Sequence, residues 1–279
     1  MVSTALVKDV YDGKKRESVL SVVMSMIVIA PVVSPVLGAF LLQYVSWRGL
    51  FWVLAVIGII SLAVSLLLSE TITSRYTGTV IQSLRRLGTV LKNPGFASLL
   101  FIFSLTMLTM LAFVGVSSYI YEDFFGLSGQ MFSFYFALNA LGMIAGPILY
   151  LRLSRSFSRT PVITACFVIM IASGALVCLF GNIAPLVFAL LLFPASVMGC
   201  SVRSPGTYLM LEQQKEDTGS ASALINCVGL VFGAAGIFLA SQNTGNLIFV
   251  LGALNVVTGL VCLTGWLLVG KLNLVKEVA

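Results

Sequence analysis

Residues 95–120 read GFASLLFIFSLTMLTMLAFVGVSSYI, with no charged side chain anywhere in the stretch. Roughly 20 apolar helical residues cross a hydrocarbon layer about 30 Å thick, so this segment spans a bilayer as a single helix. Strands would leave their edges unsatisfied in lipid, whereas a helix bonds every backbone group internally. Membrane barrels instead alternate polar and apolar residues over segments of about ten residues. Seven further stretches are apolar in the same way, with Arg203 the one charged residue among them: 18–44, 49–69, 131–151, 161–181, 185–211, 219–241 and 246–270. The expected fold is all-α and integral to the membrane, with about eight transmembrane helices embedded in the lipid bilayer.

Composition agrees, since 59% of the 279 residues are apolar and 9% charged, too few charges to coat a soluble surface. Lysine and arginine cluster on alternate connections. They precede the first span (Lys8, Lys14, Lys15, Arg16) and follow the second (Arg75, Arg85, Arg86, Lys92) and the fourth (Arg152, Arg155, Arg159). Lys215 follows the sixth span, and Lys271 and Lys276 the eighth. The opposite connections carry only Arg48, beside Trp47 and Trp52. The positive-inside rule then places both termini in the cytoplasm. No basic arm or aromatic-basic motif points to nucleic acid. The five cysteines lie inside spans without metal-ligand spacing, and there is no histidine, which removes most zinc and haem sites and every histidine-based triad. No cofactor, metal or catalytic residue is expected, and an integral-membrane enzyme is disfavoured by the scarcity of intramembrane acids.

Residues 70–94 form the one extended polar interruption. Val80, Ile81, Leu84, Leu87 and Leu91 recur at helical spacing there among Arg85, Arg86 and Lys92, the pattern of a basic amphipathic helix on the membrane surface. The chain is expected to divide into a first lobe segment (1–69), a linker (70–94) and a six-helix lobe (95–279), with Pro94 opening the third span. A weak internal echo, an acid at the mouth of one helix and a small residue opening the next, recurs at Asp9/Gly13 and Glu212/Gly219.

Several residues stand out chemically. Arg203 lies deep in the sixth span near Ser201, Ser204 and Thr207, either snorkelling to the interface or lining a cavity and attracting an anionic group. Pro205-Gly206 loosens the helix beside it. Glu122 and Asp123 end the third span beside Tyr119 and Tyr121, as a solvated interfacial pair or as a proton or cation site. Asn139, Tyr135 and Asn226 are cavity-wall candidates or polar glue between helices, and Tyr119 is a further cavity candidate. Gly142/Gly146 and Gly229/Gly233 are small pairs four apart that admit close helix approach.

Together with these, six motifs resemble drug exporters of the major facilitator superfamily. Ile29-Ala30-Pro31-Val32-Val33-Ser34-Pro35-Val36-Leu37-Gly38 is similar to the antiporter motif of helix five. Val7-Lys8-Asp9-Val10-Tyr11-Asp12-Gly13 resembles the end of helix four, and Trp47-Arg48-Gly49-Leu50-Phe51-Trp52 the turn between helices five and six. Phe125-Gly126-Leu127-Ser128, Phe136-Ala137-Leu138-Asn139-Ala140-Leu141 and Thr218-Gly219-Ser220-Ala221-Ser222-Ala223-Leu224 resemble the bicyclomycin/chloramphenicol resistance branch. The resemblance implies a twelve-helix fold of which this chain carries the end of helix four and helices five to twelve, with Met1 an internal methionine or a late start. It implies proton-coupled export of small amphipathic drugs by alternating access. It assigns Pro31, Ser34, Pro35 and Gly38 to a hinge or seal, with Gly142 and Gly146 as the partner face. It leaves Gly229 and Gly233 as an exposed adhesive surface, through which a non-transporting remnant or membrane scaffold would associate.

Overall fold

A computed structural model describes residues 34, 37–38, 40–67, 87–214, 218–242, 245–272 and 275, and all of its regular structure is helical. The chain divides into two units, Met1–Thr77 and Gly78–Ala279. In the first, Ser34 and Gly38 are helical and α1 runs Trp47–Leu66. Its side chains are largely exposed, Trp52 at 75%, as in a helix that meets lipid or further protein. Arg48 lies over the Trp47 ring at 4.4 Å, an interfacial cation–π pair. Most of the first expected span, with Pro31 and Pro35, lies outside the described residues, as does most of the amphipathic linker helix, of which residues 87–91 are helical.

The second unit holds α2 (Pro94–Ser118), continued by a π-helical turn (Tyr119–Phe124), then α3 (Gly129–Leu153), α4 (Arg159–Phe180) and α5 (Pro185–Ser201). After these come α6 (Arg203–Glu212), α7 (Thr218–Ser241) and α8 (Leu247–Lys271). Among the described residues of both units, seven helices are long and apolar enough to cross a membrane, α5 and α6 together making one of them. Local chemistry sets the starts. Asn93 accepts from the backbone of Gly95 and Phe96 at 3.0 and 3.3 Å while Pro94 fills the first helical position, as the sequence predicts. Pro185 opens α5 in the same way.

Helices in lipid gain little from apolar burial and rely on close packing between them. Three tight pairs meet that need, each at a glycine. Gly174 of α4 lies against Gly252 and Asn255 of α8, where an added Cβ would stand 2.8 Å from the Gly252 carbonyl and from the Asn255 Cβ. Gly146 of α3 lies against the Val197 carbonyl of α5, and Gly236 of α7 against the Leu108 carbonyl of α2. Contacts between α4 and α5 and between α2 and α8 join the pairs into one bundle. Two apolar clusters fill it: one around Phe96, Phe103, Phe167 and Trp266 at the end carrying Arg152, Arg159 and Lys271, the other around Phe113, Tyr121, Phe136 and Phe188 at the opposite end.

Candidate functional site

Arg203 stands where α5 gives way to α6. Pro205 has no N–H to offer Ser201 one turn earlier, and its ring crowds that carbonyl. Helix α5 accordingly ends at Ser201, Val202 forms a turn, and α6 begins at Arg203. Ser201 Oγ anchors the break, lying 2.8 Å from both the Gly146 and Val197 carbonyls. On the far side, Gly206 admits the Phe103 ring of α2.

The Arg203 side chain is exposed and lines two adjoining clefts. The first runs between α2, α3, α5 and α8, with Thr106, Thr109, Ser196 and Asn255 as polar wall and Met110 and Met143 as apolar wall. The second runs between α2, α6 and α7, with Ser104, Thr207 and Asn226. Met107 and Arg203 belong to both, so the clefts form one groove along α2. Among the described residues, Arg203 is the only charged one lining it. Thr106, Thr109 and Thr207 donate their hydroxyl protons to carbonyls of their own helices at 2.7, 3.1 and 2.9 Å, leaving their oxygens as acceptors. Unbranched methionines adapt their shape to varied apolar groups. The groove therefore presents one cation, several acceptors and a deformable apolar wall.

Of the residues expected from sequence, Arg203 and Asn226 share this groove. Asn139 does not line a wall. It is fully buried behind it, where its Oδ1 accepts from Ser196 Oγ at 3.3 Å and its Nδ2 has no partner. Tyr135 is also elsewhere, stacked on Tyr121 at 5.1 Å between ring centroids and 2° between planes, within an aromatic cluster that includes Phe132 and Phe188. Tyr119 and Asp123 line a separate cleft at the C-terminal end of α2, and Glu122 is exposed near Gly129.

The glycine expectations need correction. Gly229 and Gly233 are not an exposed adhesive surface: both are buried, facing Met107 and Leu111 of α2, because α7 seats on α2 within the same unit. Gly142 and Gly146 are buried against Phe193, Val197 and Cys200 of α5; their expected pairing with the Pro31–Gly38 segment falls on Pro31 and Pro35, which lie outside the described residues. The groove's main residues on α2, from Thr106 to Met110, went unnoticed because threonine and methionine carry no distinct signal inside a uniformly apolar run.

The Tyr121 hydroxyl is fully buried and has no hydrogen-bond partner among the described residues. Tyr121→Phe removes that desolvated group and keeps the ring stack, and it is expected to stabilise the bundle by about 1 kcal/mol. Thermal unfolding in detergent checks this; a lower midpoint would mean that the hydroxyl is satisfied in the membrane.

These features define a multi-pass helical membrane protein with an amphipathic groove between its helices. The sequence matches the Major Facilitator Superfamily over residues 1–237, and the chain belongs to that family of transporters. It is 30% identical over 247 residues to the MFS-type transporter YdgK of Bacillus subtilis, covering 84% of this chain and 60% of that one. It is 28% identical over 184 residues to the multidrug resistance protein MdtM of Salmonella typhimurium, covering 65% and 44%. It is 21% identical over 267 residues to a bicyclomycin resistance protein homolog of Haemophilus influenzae, covering 92% and 67%. The chain thus spans less than two thirds of the length of YdgK and MdtM.

Proposed function

We propose that this chain supplies the substrate groove and lobe of a drug exporter that moves small amphipathic compounds out across a bacterial cytoplasmic membrane. The observation that carries the reading is the groove itself: a deformable methionine wall, hydroxyl and amide groups, and a single cation within a family of transporters. Arg203 is proposed to hold the polar, electron-rich end of the cargo while the methionines take its apolar body. Transport by this route is alternating access, with the remainder of the first lobe (1–69) joined to the six-helix lobe (95–279) through the linker at 70–94. Protons are the proposed counter-ion. Both termini lie on the cytoplasmic side, where the positive-inside rule puts the Arg152–Arg159 connection. Pro31, Ser34, Pro35 and Gly38 are proposed to form a bend in the first span.

The glycine face through which a scaffold was expected to associate is filled by α2; a non-transporting remnant is the alternative reading, and a transport measurement separates the two. Proteoliposomes containing the chain, given an imposed pH gradient and a fluorescent amphipathic dye, test the proposal. Gradient-dependent dye movement that stops when the gradient is collapsed by an ionophore is the expected result. Movement indifferent to the gradient, or none above protein-free vesicles, contradicts proton-coupled transport by this chain.

A further inference from the structure

A second cleft lies away from the groove, between the C-terminal end of α2, the end of α7 and the start of α8. Its volume is about 710 Å³, within the range of small-molecule sites. The π-helical turn shapes its polar wall. A hydrogen bond from Phe125 N to the Ile120 carbonyl, 3.1 Å long, closes a five-residue turn. In an α-helix, residues five apart point to different faces, whereas a π turn sets them one above the other. Phe124 is thereby brought to the face of Tyr119 and Asp123, and all three line the cleft. Ile120 and Tyr121 face inward and are fully buried, fixing the turn. Tyr119 and Phe124 are more than half exposed, Phe124 also meeting the Phe125 ring edge to face at 4.9 Å, which leaves part of each ring open to a ligand.

The rest of the wall is apolar or neutral: Gly115, Val116, Ile237, Leu247 and Ile248, with Ser241 and Asn246 at the rim. The Ser241 hydroxyl donates to the Phe238 carbonyl, and the Asn246 side chain accepts from Phe249 N. Among the described residues, Asp123 is the only charged one in the lining, and no basic side chain joins it there. A carboxylate beside two aromatic faces at the mouth of an apolar cavity selects an organic cation that carries hydrocarbon. We propose that this cleft is a second binding site, specific for amphiphilic organic ammonium compounds, with Asp123 as counter-ion and Tyr119 and Phe124 as the cation–π walls. The same chemistry occurs in a free quaternary amphiphile and in the ethanolamine headgroup of a phospholipid. The site is opposite in charge to the groove and independent of it.

Calorimetric titration of the full chain in dodecyl maltoside with benzyltributylammonium tests this. Saturable binding is expected to weaken about tenfold in Asp123→Asn, the loss of one charge-assisted contact. Tyr119→Ala and Phe124→Ala are expected to weaken it about threefold each, as for one cation–π face. Asp123→Glu should retain binding, and Arg203→Gln should leave it unchanged, which separates this site from the groove. Competition by dihexanoyl phosphatidylethanolamine but not by dihexanoyl phosphatidylglycerol would assign the headgroup as the source. Absence of competition alongside saturable, Asp123-dependent binding would assign the free amphiphile. No saturable binding, or equal affinity in the unaltered chain and Asp123→Asn, overturns the proposal.

Discussion

Gly236→Val is expected to unseat α7 from α2 and to cost the six-helix unit about 3 kcal/mol, at the upper end of overpacking effects. Gly229, Gly233 and Gly236 share one face of α7, spaced by four and three residues, and all three are buried. Their neighbours on α2 are Met107, Leu111 and Leu108 in turn. The Met107 and Leu111 side chains can rotate away from an added methyl. At Gly236 the obstacle is the Leu108 carbonyl, which cannot move unless the whole helix moves. Separating the two helices would also widen the groove, because Met107 lines both of its clefts. The matched control is Gly199→Ala, since nothing lies within 4 Å of an added Cβ there. It should be neutral or slightly stabilising, by up to about 1 kcal/mol from helix propensity. Thermal unfolding of both variants in detergent checks the contrast, and equal midpoints would refute the close α2–α7 approach.

Arg203→Gln is expected to lower the affinity for anionic amphipaths between about tenfold and a hundredfold while leaving neutral analogues of the same shape unaffected. Among the described residues the side chain is the only charge in the groove, and none of the other lining residues is a cation that would compensate for its loss. Arg203→Glu should invert the preference toward cationic amphipaths. A merely structural arginine gives a different pattern, in which both variants weaken all ligands alike. Neither substitution should unfold the bundle, because the side chain is exposed and the break between α5 and α6 is held by Pro205 and by the Ser201 hydrogen bonds. Equilibrium binding of a matched anionic, neutral and cationic series, measured in detergent, reads the pattern directly.

Much of this architecture is written in the chain at the level of length and polarity. Apolar runs uninterrupted by charge identify the spans, and Asn93-Pro94 and Pro185 mark helix starts through purely local chemistry. Pro205 releases the Ser201 carbonyl at the break beside Arg203, but α3 and α5 run on through Pro147 and Pro194, so proline alone does not mark the break. What is not local is harder to read. Gly142/Gly146 and Gly229/Gly233 signal close approach correctly, but a glycine does not specify its partner, and α5 and α2 take those places. Asn139 illustrates the same gap: an amide inside a span serves a cavity or a neighbouring helix, and only the packing shows that it faces Ser196. The π turn at Tyr119–Phe124 has no signature in its residues. It depends on burying Ile120 and Tyr121 at the same end of the bundle.

The central claim is that the groove at Arg203 receives the amphipathic cargo. Photo-crosslinking tests it most directly, using a diazirine-bearing anionic amphipath on the chain in detergent and peptide mapping of the adducts. Adducts concentrated on Thr106–Met110 and Ser196–Arg203, and displaced by excess unlabelled compound, are the predicted result. Adducts confined to outward residues of α7 such as Val231 and Phe238, and not displaced by competitor, would contradict it.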